Sequence, residues 1–362
     1  ITAEAEAGSG SVGVLGGLHG DLSVFFDLGL LADLTELAET LSDRGLIPDY
    51  LELGRFGTES VYYIPWMQAS YIMCAHRDAL EYLPDGLTEE TLQTELTYEQ
   101  LLAWGTALND ALGPVLGFPG GEDGLIHRFF QGYGYPSFTG GLNTTFSSEG
   151  AVAMWEWFGN AWSVSNPQGL TYNNMDVPLL SGEVMVAWDH TARLITALRE
   201  TPDDFVTFPA PRGPEGLGQM PALAALAIPN TAPDMEGSMA LIDYLTLPET
   251  QLTTLREVAF FPAIDIDLPD DLDAGAQAEA NAILATTADP AVLTSLLSVG
   301  LGEQGGAYNK VFRDSFQAIA IDGNDIQTTL DEQAEILQGV LDSVEAPCWT
   351  PDPESEGVCQ VG

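Results

Sequence analysis

Three aromatic side chains stand where the pattern of elements breaks. Trp66 follows Pro65, Trp188 precedes Asp189, and Tyr308 precedes Asn309. A ring beside a polar hydrogen-bonding group suits sugar recognition, because apolar sugar faces stack on rings while hydroxyls need donors and acceptors. Trp155, Trp157 and Trp162 lie on or at the end of one helical pattern and read as core. No pattern for covalent or metal chemistry accompanies these rings. His19, His76, His127 and His190 lack H-E-x-x-H spacing, and there is no G-x-S-x-G elbow. Acidic pairs are too frequent to single out a glycosidase dyad. No catalytic residue, metal or cofactor is therefore assigned. Gly8 to Gly13 spells G-x-G-x-x-G, but polar-alternating residues precede it and Gly16-Gly17 interrupts the helix that should follow, so it reads as a glycine loop. The run Asp265, Asp267, Asp270, Asp271, Asp273 lacks the order of a calcium loop and reads as solvated.

Composition narrows the field. The chain has 362 residues, which suits two domains. Fifty-four acids against ten bases give a formal net charge of −44, and Lys310 is the only lysine. Nucleic acid and anionic membranes are disfavoured partners of such a surface. The acids are dispersed, as at Glu89-Glu90 and Asp203-Asp204, and form a solvated surface whose self-repulsion salt would screen. No apolar run reaches the roughly 18 residues of a membrane span, and no signal peptide is visible. Cys348 and Cys359 lie close together in a Pro- and acid-rich tail. A disulfide there closes a short loop and indicates export. Cys74, inside Tyr71-Ile72-Met73-Cys74-Ala75, reads as a buried thiol.

Strand and helix patterns alternate, which argues for an α/β fold. Strands are expected at 61–64, 115–118, 205–208 and 222–228, and a second apolar run at 71–75. Thr97-x-x-Gln100 is a capping box that opens a helix. From Leu179 to Trp188 a helix end, a glycine stop and a buried strand follow one another, after which Asp189 caps a helix over 191–198. Further helices are expected at 147–158, 235–245, from Pro248, and at 326–344. Residues 265–273 form an acidic loop, and Gly305-Gly306 a flexible one.

Several segments together resemble the extracellular solute-binding proteins of carbohydrate ABC importers, the group that includes maltose-binding protein. Leu28-Gly29-Leu30-Leu31-Ala32-Asp33-Leu34-Thr35 is similar to the family's helix start, and Tyr62 to Tyr71, with Pro65, to its strand crossing between lobes. His76-Arg77-Asp78-Ala79-Leu80 stands where the family has Y-N-K-D-L, so the side-chain roles of His76 and Arg77 do not carry over. Leu96 to Leu101, Leu180 to Val186, and Ala227-Ile228-Pro229 with Ala240 to Leu245 follow in the family's order. The resemblance spans roughly residues 14 to 342. It implies a two-lobed type II periplasmic-binding-protein-like α/β fold with discontinuous lobes, and a first strand-helix unit missing ahead of Leu28. Mapped here, lobe one is 1–66 and 225–262, lobe two is 67–224 and 263–345, and 346–362 is a C-terminal tail. Hinges fall near Pro65, Ala224 and Phe261.

By position the resemblance places His19, Asp21, Trp66, Gln68, Glu122, His127, Trp188, Asp189, His190, Tyr308 and Asn309 in the ligand cleft. Trp66, Trp188 and Tyr308 would stack, and the acids and Gln68 would bond hydroxyls. The implied partners are a small solute, above all a carbohydrate, and ABC permease subunits. The implied location is extracytoplasmic, with a lipid anchor in the precursor. The implied mechanism is hinge closure on the solute, without catalysis. Two alternatives stand: a binding protein for a polyamine, peptide or phosphate ester, and a secreted carbohydrate-active enzyme. A phosphate ester calls for arginine, and Arg128 and Arg193 are the candidates to watch.

Overall fold

The computed structural model describes residues 1–298 and 300–362. The strands among them are β1 (Leu15–Leu18), β2 (Ile64–Ala69), β3 (Tyr71–His76), β4 (Leu116–Gly117), β5 (Val186–His190), β6 (Phe205–Phe208), β7 (Leu217–Gln219), β8 (Ala222–Ala227), β9 (Phe261–Pro262) and β10 (Val292–Thr294). The chain forms two units, each assembled from separated stretches. Unit one comprises Ile1–Ala69, Ala222–Asp271 and Leu297–Gly305; unit two comprises Ser70–Pro221, Leu272–Leu296 and Gly306–Gly362. The chain thus passes from unit one to unit two after Ala69 and returns at Ala222. Residues 263–271 go with unit one, and 346–362 go with unit two.

In unit one the sheet order is β1–β8–β2–β9, antiparallel throughout. The central strand β8 is Ala-Leu-Ala-Ala-Leu-Ala, buried at every position. Its side chains alternate between two cores, as a period of two requires. Leu223, Ala225 and Ala227 pack with Leu22, Leu31 and Tyr63, while Leu226 joins Leu34, Val61, Ile64 and Ile242. The register of β2 on β8 slips between Pro65 and Met67. Trp66 thus stands on a β-bulge, a device that re-aims a side chain, and Pro65 costs the ladder little there because a bulge already interrupts it.

In unit two the sheet order is β4–β5–β3–β6, with β4 parallel to β5 and the other pairs antiparallel, and β7 pairs in parallel with β10. Ile72, Cys74, Ala187, Leu194, Leu198 and Phe205 form one core, closed by Ala282. A second is aromatic: Phe129, Phe130, Trp155 and Phe158 are all fully buried. Cys74 is a free buried thiol. The capping box forms in full, with Thr97 and Gln100 each bonding the other's backbone N–H ahead of the helix Tyr98–Leu112.

Residues 346–362 are tied to the rest of unit two at several points. Cys348 and Cys359 are joined in a disulfide. The buried Asp352 carboxylate accepts from the amides of Leu142, Asn143 and Thr144 at 2.7–3.1 Å, and from the Thr144 hydroxyl at 2.6 Å. The ring of Trp349 lies 5.3 Å from that of Tyr308. Gly305-Gly306 open the helix Gly305–Phe316, where a flexible loop is expected from sequence. At the end of the acidic loop, Asp271 pairs with Arg256 within unit one and Asp273 with Arg199 within unit two.

Candidate functional site

In unit one, β1 and β2 both run antiparallel to β8. They are therefore parallel to each other and end at the same edge, where Leu18 and Met67 both face Ala224. Ligands of open α/β sheets gather outside the carboxyl ends of such strands. His19 and Asp21 open the helix His19–Asp27 directly after β1, and Gln68 follows Met67. His19 is 2% exposed. Its Nδ1 lies 2.8 Å from the Tyr63 hydroxyl, and its ring stacks on Phe56 at 5.4 Å. Burial lowers its pKa to about 4, so the ring is neutral at pH 7. Its Nε2 has no hydrogen-bond partner among the described residues, and neither has the indole Nε1 of half-buried Trp66. Asp21 is exposed.

Gln68 is engaged inside the unit. The Tyr50 hydroxyl donates to its Oε1, and its Nε2 donates to the Pro262 carbonyl at 3.1 Å. Phe56 is a residue that sequence reasoning passes over. Its φ of 49° is one a bulky side chain adopts only under constraint. That geometry holds its ring between His19 and Phe26, at 5.4 and 4.7 Å. Gly57 beside it, at φ 77°, is the available signal for the tight turn.

In unit two the carboxyl ends of parallel β4 and β5 share an edge. The strand β4 feeds the loop 118–125, and β5 feeds the turn into the helix Thr191–Glu200. Two glycines let the loop fold back tightly. A Cβ at Gly124 would collide with the Pro119 carbonyl, and one at Gly121 with Asn173 Oδ1. Arg193 clamps this loop. Its Nη2 donates to the Asp123 carbonyl at 3.2 Å and its Nη1 to the Asn173 carbonyl at 2.6 Å.

Asp189 is fully buried, with the Arg193 guanidinium 4.0 Å away. It accepts from the N–H groups of Met175 at 2.9 Å and His190 at 2.7 Å. Burial raises its pKa to about 7 against the opposing pull of Arg193 and those two N–H groups. Its carboxylate therefore does not cap the following helix as expected. His190 does so instead, its Nδ1 accepting from the Ala192 N–H at 3.3 Å. Burial, aided by Arg193, holds the His190 pKa at about 3.

His127 is 3% exposed, and its Nδ1 accepts from Arg313 Nε at 3.3 Å. That bond leaves its proton on Nε2. Burial, and then the charges of Arg128, Arg313 and Arg193, hold its pKa well below the usual range. The exposed Glu122 presents its carbonyl to Arg313 Nη1 at 3.5 Å. Asn309 joins through a relay in which Arg128 donates to Gln131 Oε1 at 2.9 Å and Gln131 Nε2 donates to Asn309 Oδ1 at 3.0 Å. Gln131 lies in the π-helical turn Phe130–Gly134, a feature frequent at functional sites. The structure thus brings Glu122, His127, Asp189, His190 and Asn309 into one linked region of unit two.

Two expected stacking residues lie elsewhere. Trp188 is fully buried, stacked on Tyr71 at 4.8 Å with Phe129 and Tyr133 edge-on at 5.2 and 5.3 Å, so rings of its own unit already cover it. Tyr308 is 1% exposed and packs inward against Phe312 and Trp349, its hydroxyl donating to Asn143 Oδ1 at 3.0 Å. Residues missed by sequence reasoning include Arg313 and Gln131. Arg313 follows Asn309 by four residues, one helical turn on the same face of the helix Gly305–Phe316, a signal hidden because no helix is expected there from sequence.

The chain belongs to the family of bacterial extracellular solute-binding proteins, whose family model matches residues 3–252. That family binds and does not catalyse, so this is a binding protein of an ABC importer and not an enzyme, and its setting is extracytoplasmic. Among the described residues no helix is long and apolar enough to cross a membrane. Solved structures share the two-lobed type II periplasmic-binding-protein fold. Maltose-bound MalE3 of T. maritima is 16% identical, with a TM-score of 0.76 over 94% of this chain and 87% of its own. UgpB of Mycobacterium tuberculosis, in complex with glycerophosphocholine, is 18% identical, with a TM-score of 0.73 over 94% and 86%. The GacH receptor of Streptomyces glaucescens, solved unliganded and with acarbose, is 15% identical, with a TM-score of 0.71 over 95% and 87%. No curated protein sequence matches the chain.

Proposed function

We propose that this chain captures a sugar, an oligosaccharide or a sugar-derived solute at the cell surface or in the periplasm and delivers it to the permease of an ABC importer. The observation that carries the reading is that two of the four buried ring nitrogens without a partner among the described residues, His19 Nε2 and Trp66 Nε1, lie at the same sheet of unit one, the other two being those of Trp188 and Trp349 in unit two. Trp66 is re-aimed by a bulge, and His19 lies against Phe56 at the carboxyl end of β1. A buried donor or acceptor without a partner costs about 1–3 kcal/mol, a cost that a solute hydroxyl would offset while its apolar face meets the half-buried Trp66. MalE3 with maltose and GacH with acarbose support the solute class. Delivery by hinge closure, about crossings at Ala69 and Ala222, belongs to the same proposal.

Thermal unfolding in high salt against a panel of mono- and disaccharides tests it. A ligand confined to the folded state stabilises by about 2.7 kcal/mol at a hundredfold over Kd. A rise in melting temperature with a sugar, without product formation, is the expected result. No rise with any member, in a chain shown to be folded by circular dichroism, would overturn the sugar assignment.

A further inference from the structure

Nine arginines serve a chain with 54 acids. At that ratio an arginine without a carboxylate neighbour is unexpected. Among the described residues, Arg44, Arg55, Arg77, Arg193, Arg199, Arg212 and Arg256 each have one within 4.0 Å. Among the described residues Arg313 has none, although it stands on an acid-bearing helix. Its neighbour Asp314 is taken up by Lys310 at 2.7 Å. Arg313 instead makes bonds to a neutral ring and a carbonyl, His127 Nδ1 and the Glu122 oxygen. These contacts orient the exposed guanidinium, which among the described residues has no carboxylate within 4.0 Å. Arg128 reaches the same region through Gln131, and Arg193 clamps its loop.

All these groups present donors. Among the described residues Arg313 Nη2 bonds to nothing, and the tautomer set by Arg313 puts a proton on His127 Nε2. A guanidinium fork beside an imidazole N–H, with further positive charge nearby, is the arrangement that recognises a planar or tetrahedral oxyanion. The acidic surface would repel an anion at long range, so a local concentration of three of the nine arginines requires a specific reason. Neutralising surface acids is not that reason for Arg313, which touches no carboxylate among the described residues.

We infer that the solute carries an oxyanion, phosphoryl or carboxylate, which docks on Arg313 with His127 and Arg128 in unit two. The inference rests on the solute-binding reading above and adds the charge of the ligand to it. Its chemical class is an acidic polyol or sugar: a sugar phosphate, a glycerol phosphate ester or a uronate. UgpB, which shares the fold, is known with such an ester, glycerophosphocholine.

Calorimetric titration decides the point. Glycerol 3-phosphate, glycerophosphocholine, glucose 1-phosphate and glucuronate are each compared with glycerol, glucose and maltose, and inorganic phosphate reports the anion alone. Expected is binding by at least one acidic member, about tenfold or more tighter than its neutral counterpart, weakened about 10- to 100-fold in Arg313→Gln and partly restored in Arg313→Lys. The phosphate and uronate arms tell the two oxyanions apart. Arg128→Gln provides a second reading should Arg313→Gln unfold. Neutral sugars binding as tightly as their acidic counterparts, with affinity unmoved by Arg313→Gln, would overturn the inference and leave the solute-binding proposal standing. No binding by either set would overturn both.

Discussion

Asp189 shows how one buried carboxyl ties stability to pH. Its pKa rises from 3.8 unfolded to about 7 folded. Between those values the folded state holds a proton that the unfolded state has lost. The stability contributed is thus fully present below about pH 4 and is lost as pH rises through about 7. His19 and His190 have the opposite sign. Their folded pKa values, about 4 and about 3, lie below the ordinary 6.5. Their contribution is present above pH 6.5 and is lost as pH falls through those values. Asp189→Asn separates the two effects. The variant loses one of the two acceptors that serve Met175 and His190, at about 1–3 kcal/mol. Its deficit against the parent should be largest near pH 4 and shrink toward about pH 7. Urea unfolding at half-unit pH steps reads this, and a deficit constant across the window would show that Asp189 does not titrate as its burial implies.

At the scale of elements, the π-helical turn and the C-terminal segment each hold part of the linked region. Gly132 has no room for a side chain, since a Cβ would collide with Met220 Cβ. Gly132→Ala should therefore cost about 1–3 kcal/mol by overpacking, and it should also weaken ligand binding by displacing Gln131 from its relay to Asn309. A thermal melt with a titration checks both parts; lowered stability with unchanged affinity would sever the turn from the site. Reduction of Cys348–Cys359, which are 11 apart in sequence, should cost about 3 kcal/mol. It should loosen Trp349 from Tyr308 at the start of the helix that bears Asn309 and Arg313, and melting with and without reductant reads the shift. Local signals make much of this scale legible. The capping box at Thr97, the helix Met235–Leu245 and the strand Phe205–Phe208 match their expected positions. The helix Ala274–Thr287 is not legible, because its Ala, Thr and Asn residues draw no apolar stripe. Nor is the inward turn of Tyr308, which depends on Asn143 and Trp349, both far away in sequence. The arginine group is legible in part: Arg128 and Arg193 stand out among few arginines, whereas Arg313 joins them around His127 only through tertiary structure, which spacing could not reveal.

For the whole molecule, a net charge of −44 governs the response to salt. The Debye length falls from about 10 Å at 0.1 M salt to about 3 Å at 1 M, screening repulsion between surface carboxylates. The ion pairs that salt weakens are mostly surface ones, each worth about 0–1 kcal/mol. Repulsion therefore outweighs them, and the melting temperature should rise steadily from about 0.1 to about 1 M sodium chloride in a calorimetric series. A fall would mean that the arginine pairs, few as they are, contribute more than the surplus acids take away.

Lys310 is the only side-chain amine in the chain. It is exposed, next to Asn309 in sequence and one helical turn ahead of Asp314, its ion-pair partner. Amine-reactive dyes, which label most proteins at scattered lysines, would here mark a single side chain beside the linked region of unit two. The native sequence thus already contains an attachment point for a fluorescent reporter of solute binding, with no engineered cysteine required.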